Sequence, residues 1–244
     1  MQIAETGGSP EDSLAKLESA KQWNVALSVL GIAAAAGSLW GRAWLRLLSQ
    51  TVLALLPAVL VYLVQREPLI YAIAKSKRDD RRTDLGIAFM VCGFGLIFGN
   101  RDVQFVETQK LFEYAVLIAL LGCALIFAAA KQNPKFWGTM FGTALIAGIY
   151  GWGLAGCGDS VRDESAPAYF TTRVADKYES YHRGTSYHLV FEPWGPMQAG
   201  SSMTVSSETY GETGIGEQAC FELHPGVLRV QWYRMVACKD SSER

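Results

Sequence analysis

Apolar residues run in long, nearly unbroken stretches as far as residue 156, and in short alternating ones from Tyr169 onward. Stretches 23–40, 47–64, 111–130 and 137–156 meet or approach the roughly 20 residues with which a helix crosses about 30 Å of hydrocarbon. No charge sits in the middle of any of them, and Trp23, Trp40, Trp137 and Trp152 fall at or near ends, where aromatic rings straddle the headgroup layer. A fifth stretch, 85–99, is short for a span: at 1.5 Å per residue it reaches only about 22 Å. The pattern therefore predicts a polytopic α-helical membrane protein of five transmembrane helices, or four if 85–99 is re-entrant.

From Tyr169 the period changes from helix to strand. Strands are expected at 169–175, 186–191, 203–206, 219–223 and 228–235, punctuated by Gly184, by Pro193 to Pro196, by the glycines of 211–216 and by Pro225-Gly226. Five short strands in so small a region suggest an antiparallel sheet or partly open barrel, a likeness of architecture that carries no function. The chain is thus expected to divide into a polar N-terminal segment (1–22), a transmembrane bundle (23–157), a linker (158–166) and a small β-domain (167–240). Ser9-Pro10-Glu11-Asp12 predicts a helix start before the first span, and no basic segment precedes an apolar core there, unlike a cleavable signal.

Half of the 244 residues are apolar, and the formal net charge is -1, so nothing supplies the overall basic field that nucleic acid requires. The distribution of charge says more. Before residue 157 there are 14 Lys and Arg against 11 Asp and Glu; from Cys157 onward there are 8 against 12. Loop charge itself does not choose between five and four spans, because each arrangement places ten basic residues inside and four outside. Two features favour five spans with the N-terminus cytoplasmic and the β-domain periplasmic or extracellular. Asp159, Asp163 and Glu164 make an acidic flank after the last span, where a cytoplasmic flank is more often basic. Cys220 and Cys238 lie in neighbouring predicted strands, spaced for a cross-strand disulfide in an oxidising compartment.

Small residues recur along the spans. Gly95/Gly99 and Gly138/Gly142 form GxxxG pairs, continued by Ala144/Gly148 and Ala147/Gly151, a pattern that serves close packing within the chain or between copies of it. Pro57 lies deep in the second span, where it kinks a helix and frees a carbonyl. Lys75, Lys77, Arg78, Arg81 and Arg82 crowd one loop, where they fix topology and are suited to anionic lipid headgroups. Ahead of them, residues 67–74 suggest an interfacial helix opened by Pro68.

No motif commits to a chemistry. His182, His188 and His224, with Asp176, Glu192 and Glu222, supply metal-ligand atoms but no recognised ligand spacing, and neither a GxSxG elbow nor a phosphate loop is present. Leu154-Ala-Gly-Cys157 resembles the lipobox of bacterial lipoproteins, which implies an acylated Cys157, although lipoboxes belong near an N-terminus. The expectation is a non-enzymatic, cofactor-free, bacterial-type inner-membrane protein. Its bundle anchors an extracytoplasmic β-domain, and its expected partners are the bilayer and either another envelope protein or further copies of itself through the small-residue helix faces. The rival readings are a small-solute channel or transporter using Pro57 and the glycine-rich spans, and an envelope enzyme with its site among the histidines.

Overall fold

The computed structural model describes residues 10–67, 70–73, 82–130, 136–161, 163–181 and 184–238. They form two units, one of Met1–Arg101 with Gln109–Val161 and one of Asp102–Thr108 with Arg162–Arg244.

The first unit is helical: α1 (Pro10–Trp40), α2 (Ala43–Arg66), α3 (Gly86–Gly99), α4 (Thr108–Ala130) and α5 (Phe136–Ser160), with β1 (Tyr71–Ala72) and β2 (Thr83–Asp84) between α2 and α3. The polar start and the first apolar stretch are one continuous helix. Four of the five are long and apolar enough to cross a membrane, and α3 is the short exception. Their outward faces carry exposed residues such as Val29, Ile32, Leu55, Leu117 and Leu121, a surface that water disfavours and lipid accepts. Residues 70–73 do not continue a helix: Tyr71 and Ala72 pair in parallel with Thr83 and Asp84. Tyr71 and Ile73 are buried, so these side chains turn into the protein instead of lying on an interface. Just before α3, Asp84 Oδ1 accepts the N–H of Gly86, the first residue of the helix, at 2.8 Å.

Helix directions follow from which residues meet. A Cβ built on Gly31 would stand 3.5 Å from Val91, one on Gly95 3.0 Å from Ala35, and one on Gly99 3.1 Å from Ser38, so α1 and α3 rise together. Gly86 meets Ile146, Gly93 meets Tyr150, and Gly153 meets Leu96 and Ile97, so α5 rises with them. Against these, α2 descends, with Gln50 beside Gly99, Leu53 beside Gly95 and Leu56 beside Gly31. The Gln65 amide donates to Leu125 O at 3.4 Å, which places the C-terminal ends of α2 and α4 together. Ala20, Val64, Leu85, Ile126 and Ile146 accordingly share one buried layer, and Ala34, Leu53, Leu96 and Cys157 another. Five helices alternate in direction, and α3 runs from the first layer to the second.

Polar contacts stitch the second layer. Ser38 Oγ lies 2.8 Å from Ala35 O and 3.1 Å from Gly95 O, and Gln50 Nε2 donates to Asn100 Oδ1 at 3.3 Å. The Tyr150 hydroxyl donates to Ala54 O at 2.6 Å, one residue from the Leu53 carbonyl that Pro57 deprives of its helical donor. Gly95 and Gly99 thus spend their small size on packing within the chain.

The second unit is a curled antiparallel sheet in the order β3-β8-β7-β4-β5-β6. Its strands are β3 (Gln104–Phe105), β4 (Ala168–Tyr181), β5 (Thr185–Phe191), β6 (Ser201–Val205), β7 (Gln218–His224) and β8 (Trp232–Val236), with a short helix α6 (Ser207–Glu212). The long β4 pairs with β7 through Arg173 and with β5 from Val174, and a bulge at Ala175 bends it between the two. Its core joins Val174, Leu189, Phe191, Trp194, Met203, Phe221, Leu223 and Tyr233. Trp194 stacks on Phe221 with centroids 4.5 Å apart, and its indole N–H donates to Ser201 Oγ at 3.0 Å. Lys177 Nζ fastens α6 by donating to Tyr210 O and Thr213 O, both at 3.0 Å.

The sheet unit differs from the sequence expectation in several places: β4 runs on past 175 to Tyr181, and α6 follows β6 where the sequence predicts no helix. The last strand begins at Trp232 instead of residue 228, because the turn at Pro225-Gly226 extends to Arg229, which takes a φ of 60° and donates its N–H to Gly226 O at 3.1 Å. A sixth strand, β3, comes from the α3–α4 connection and pairs with Trp232 and Tyr233.

Candidate functional site

Cys220 and Cys238 stand at disulfide distance, their Cα atoms 5.2 Å apart and 18 residues apart in sequence. Antiparallel pairing puts Cys220 opposite Val236, so the cross-link ties β7 to the chain just beyond β8. Closing a loop of that length restricts the unfolded chain by about 3 kcal/mol in the entropy model. Replacing both cysteines with serine is therefore expected to lower the stability of the sheet unit by about 2–3 kcal/mol. Urea unfolding of the oxidised protein against the variant measures it; superimposable curves would contradict the cross-link.

The same strand pair builds a dense group of charged side chains. Alternation along β7 puts Glu222 and His224 on one face, opposite Arg234 and Trp232 of β8. Tyr169 of β4 is the register partner of Glu222 on its other side. Asp163, from the segment after α5, completes the group. Asp163 Oδ2 accepts the Gly226 N–H at 2.8 Å and the Trp232 indole N–H at 3.1 Å, while Oδ1 accepts the Ser165 N–H at 3.0 Å. Burial pushes the Asp163 carboxyl up, but the hydrogen bonds from Ser165, Gly226 and Trp232 outweigh it and hold the group below the usual aspartate value.

The His224 ring lies flat on Trp232, centroids 4.1 Å apart and planes within 1°. Its Nδ1 is 4.0 Å from Asp163 Oδ2 and its Nε2 is 3.5 Å from Glu222 Oε1. Neither nitrogen makes a hydrogen bond, although His224 and Glu222 are both buried. Glu222 Oε1 in turn accepts from the Nε–H of the half-exposed Arg234. The arrangement holds charge and orients a segment. Among the described residues no group of three His, Cys, Asp or Glu is placed to hold a metal ion.

The other residues singled out by sequence go elsewhere. His188 stacks on Tyr178 at 4.7 Å and meets Thr204 Oγ1 at 3.2 Å on the far half of the sheet. Asp176 accepts the Lys177 N–H at 2.8 Å, and the Glu192 main chain pairs with Arg173 and Thr172. None of these three approaches His224. Lys75, Lys77, Arg78, Arg81 and His182 lie outside the described residues; Arg82 is half-buried just before β2. Cys157 packs inside α5 among Ala34, Leu53 and Cys92. In the helical unit an apolar groove of about 290 Å³ opens beside Leu39, Met90, Phe94 and Phe98 and presents no polar group to a solute.

Sequence reasoning missed Asp163, Trp232 and Arg234 as a set. The available signal was the pair of alternating triplets Glu222-Leu-His224 and Trp232-Tyr-Arg234, which any hairpin closing at Pro225-Gly226 sets side by side. Asp159, read from the sequence as part of an acidic flank after the last span, is instead fully buried in the last turn of α5. Set against protein-family models, curated proteins and solved structures, the chain matches none.

Proposed function

We propose that this chain is a five-span membrane protein that carries a disulfide-bonded β-domain on the extracytoplasmic side, where the domain recognises another protein of the cell envelope. The observation that carries this reading is the alternation of helix direction, with α3 running between the same two buried layers as its neighbours. A helix of 14 residues spans about 21 Å, which a bilayer meets by local thinning. Five alternating crossings leave the start of α1 and the connection between α2 and α3 on one side, and the end of α5 on the other. The connection between α2 and α3 contains Lys75, Lys77, Arg78, Arg81 and Arg82, as a cytoplasmic loop should. A cysteine pair at bonding distance in the other unit fits an oxidising compartment.

The chain contributes to the sheet unit twice, once between α3 and α4 and once after α5. With α4 and α5 crossing in opposite directions, the two contributing segments fall on one side of the membrane. The recognition role rests on exposed aromatic and aliphatic side chains of the sheet unit, among them Tyr169, Tyr178, Tyr181 and Ile215, residue types enriched where proteins meet.

A single reactive cysteine tests the placement. Ser202 is exposed, whereas the neighbouring Ser201 is engaged by Trp194. In a background where Cys92, Cys123 and Cys157 are replaced and Cys220 and Cys238 are kept, Ser202→Cys is expected to react with a membrane-impermeant maleimide on cells with an opened outer layer. Reaction only after lysis would overturn the extracytoplasmic placement. A photoreactive side chain in place of Tyr178 tests recognition in the same cells: a discrete protein adduct is expected, and adducts with lipid alone would count against it.

A further inference from the structure

We propose that Asp163, Glu222 and His224 form a proton-binding latch, in which one proton taken up by the His224 ring draws both carboxylates onto it and tightens the hold of the segment after α5 on the β7–β8 turn. A neutral imidazole has one N–H and one lone pair, whereas the imidazolium has two N–H groups. Carboxylate oxygens face both ring nitrogens, Asp163 Oδ2 at 4.0 Å from Nδ1 and Glu222 Oε1 at 3.5 Å from Nε2. Either neutral tautomer therefore points a lone pair at a carboxylate, and only the doubly protonated ring offers each carboxylate a donor.

Charge leads to the same conclusion. Among the described residues, the groups that face the ring are Asp163 from the segment after α5, Glu222 from its own strand and, through Glu222, Arg234 from β8. Tyr169 of β4 stands across from Glu222, and β3 brings only the uncharged Gln104 and Phe105. Among these described groups two buried carboxylates stand against one half-exposed guanidinium, and a proton on His224 offsets the difference. The Trp232 face stacked on the ring also favours the cation, while Arg234 opposes it from a half-exposed position.

Both ring nitrogens are buried and without a hydrogen bond, so the ring is set in a polar cradle that it does not satisfy as it stands. On protonation the two gaps close to hydrogen-bond length. Asp163 already accepts from Gly226 and Trp232, so a bond from His224 joins the linker segment, the turn and β7 at one carboxylate. The proton comes from solvent, and nothing else in the exchange is transferred.

The sign follows from linkage. A proton held more tightly by the folded chain than by the unfolded one adds stability at low pH, and that contribution is lost as the pH rises. The test is thermal unfolding of the sheet unit in the full chain, held in detergent or a nanodisc, from about pH 8 to about pH 5.5, where imidazoles change charge. The wild-type midpoint is expected to gain about 5 °C on His224→Gln across that range as the pH falls. Parallel curves for the two proteins would overturn the latch. If His224→Gln does not fold, the hydrogen-exchange protection of the Gly226 amide in the wild-type chain, corrected for intrinsic rate, decides. A tenfold rise in protection over the same descent is expected, and an unchanged value would overturn the proposal.

Discussion

Truncation of Phe221 to alanine is expected to cost the sheet unit about 3–5 kcal/mol, enough to leave much of it unfolded at ordinary temperature. Phe221 has no exposed surface and sits at the meeting point of the aromatic core. Trp194 stacks on it at 4.5 Å, while Phe191 at 4.9 Å and Tyr233 at 5.7 Å meet it edge-on. These rings come from β5, from the loop after it and from β8, so all three elements lose their common partner at once. The curled sheet cannot close over the gap, because β7 is held between β4 and β8 by continuous ladders on both sides. Unfolding followed by tryptophan fluorescence measures the loss directly, since Trp194 reports on the same contact. Tyr178→Ala is the matched control: its ring is stacked on His188 but largely exposed, and its removal is expected to cost less than about 1 kcal/mol. Equal losses from the two variants would mean that Phe221 is not the centre of the core.

The sequence is most legible where one local pattern decides the outcome. Four long apolar runs become four long helices, because a run of that length without a central charge has few other ways to satisfy its backbone in lipid. The β-rich character of the last third follows from its alternation, and the approach of Cys220 and Cys238 follows from the pairing of β7 with β8, just beyond which Cys238 lies. Legibility fails where the deciding partner is far away in sequence. Gln104 and Phe105 carry no strand pattern by themselves and pair only because Trp232 and Tyr233 offer them an edge. The alternation at 228–231 reads as strand, yet it is overridden by the turn that Gly226 and Arg229 make with positive φ. Residues 67–74 read as an interfacial helix, but the parallel partner that extends Tyr71 and Ala72 lies beyond a charged stretch of sequence. Asp163 meets Gly226 and Trp232 from more than 60 residues away, so no spacing rule reaches it. Glu222 and His224 are visible as candidate ligands, but what they do depends on Trp232 beneath the ring and Arg234 beside the carboxylate.

The helical unit makes an equally sharp demand at Gly153. A side chain there has no room: a Cβ would stand 2.8 Å from the Gly93 carbonyl oxygen and 2.9 Å from Leu96 Cβ. The approach is mutual, since a Cβ on Gly93 would stand 3.1 Å from the Tyr150 backbone. α3 and α5 therefore meet main chain to main chain, and a main-chain oxygen cannot swing aside as the tip of a flexible side chain does. Gly153→Leu must push the two helices apart, and α3 carries the consequence because α1 and α2 already hold it at Gly95 and Gly99. The expected cost is about 3 kcal/mol or more, the upper part of the range for overpacking. Gly148→Leu, one turn and a little earlier on the same helix, meets nothing within 4 Å and replaces a poor helix former with a good one. In detergent, the fraction of protein that remains monodisperse after heating should fall sharply for Gly153→Leu and hold for Gly148→Leu. A Gly153→Leu protein as heat-resistant as the wild type would mean that α3 is not clamped between its neighbours. A short helix free of such a clamp would have no packing to hold it across the whole membrane.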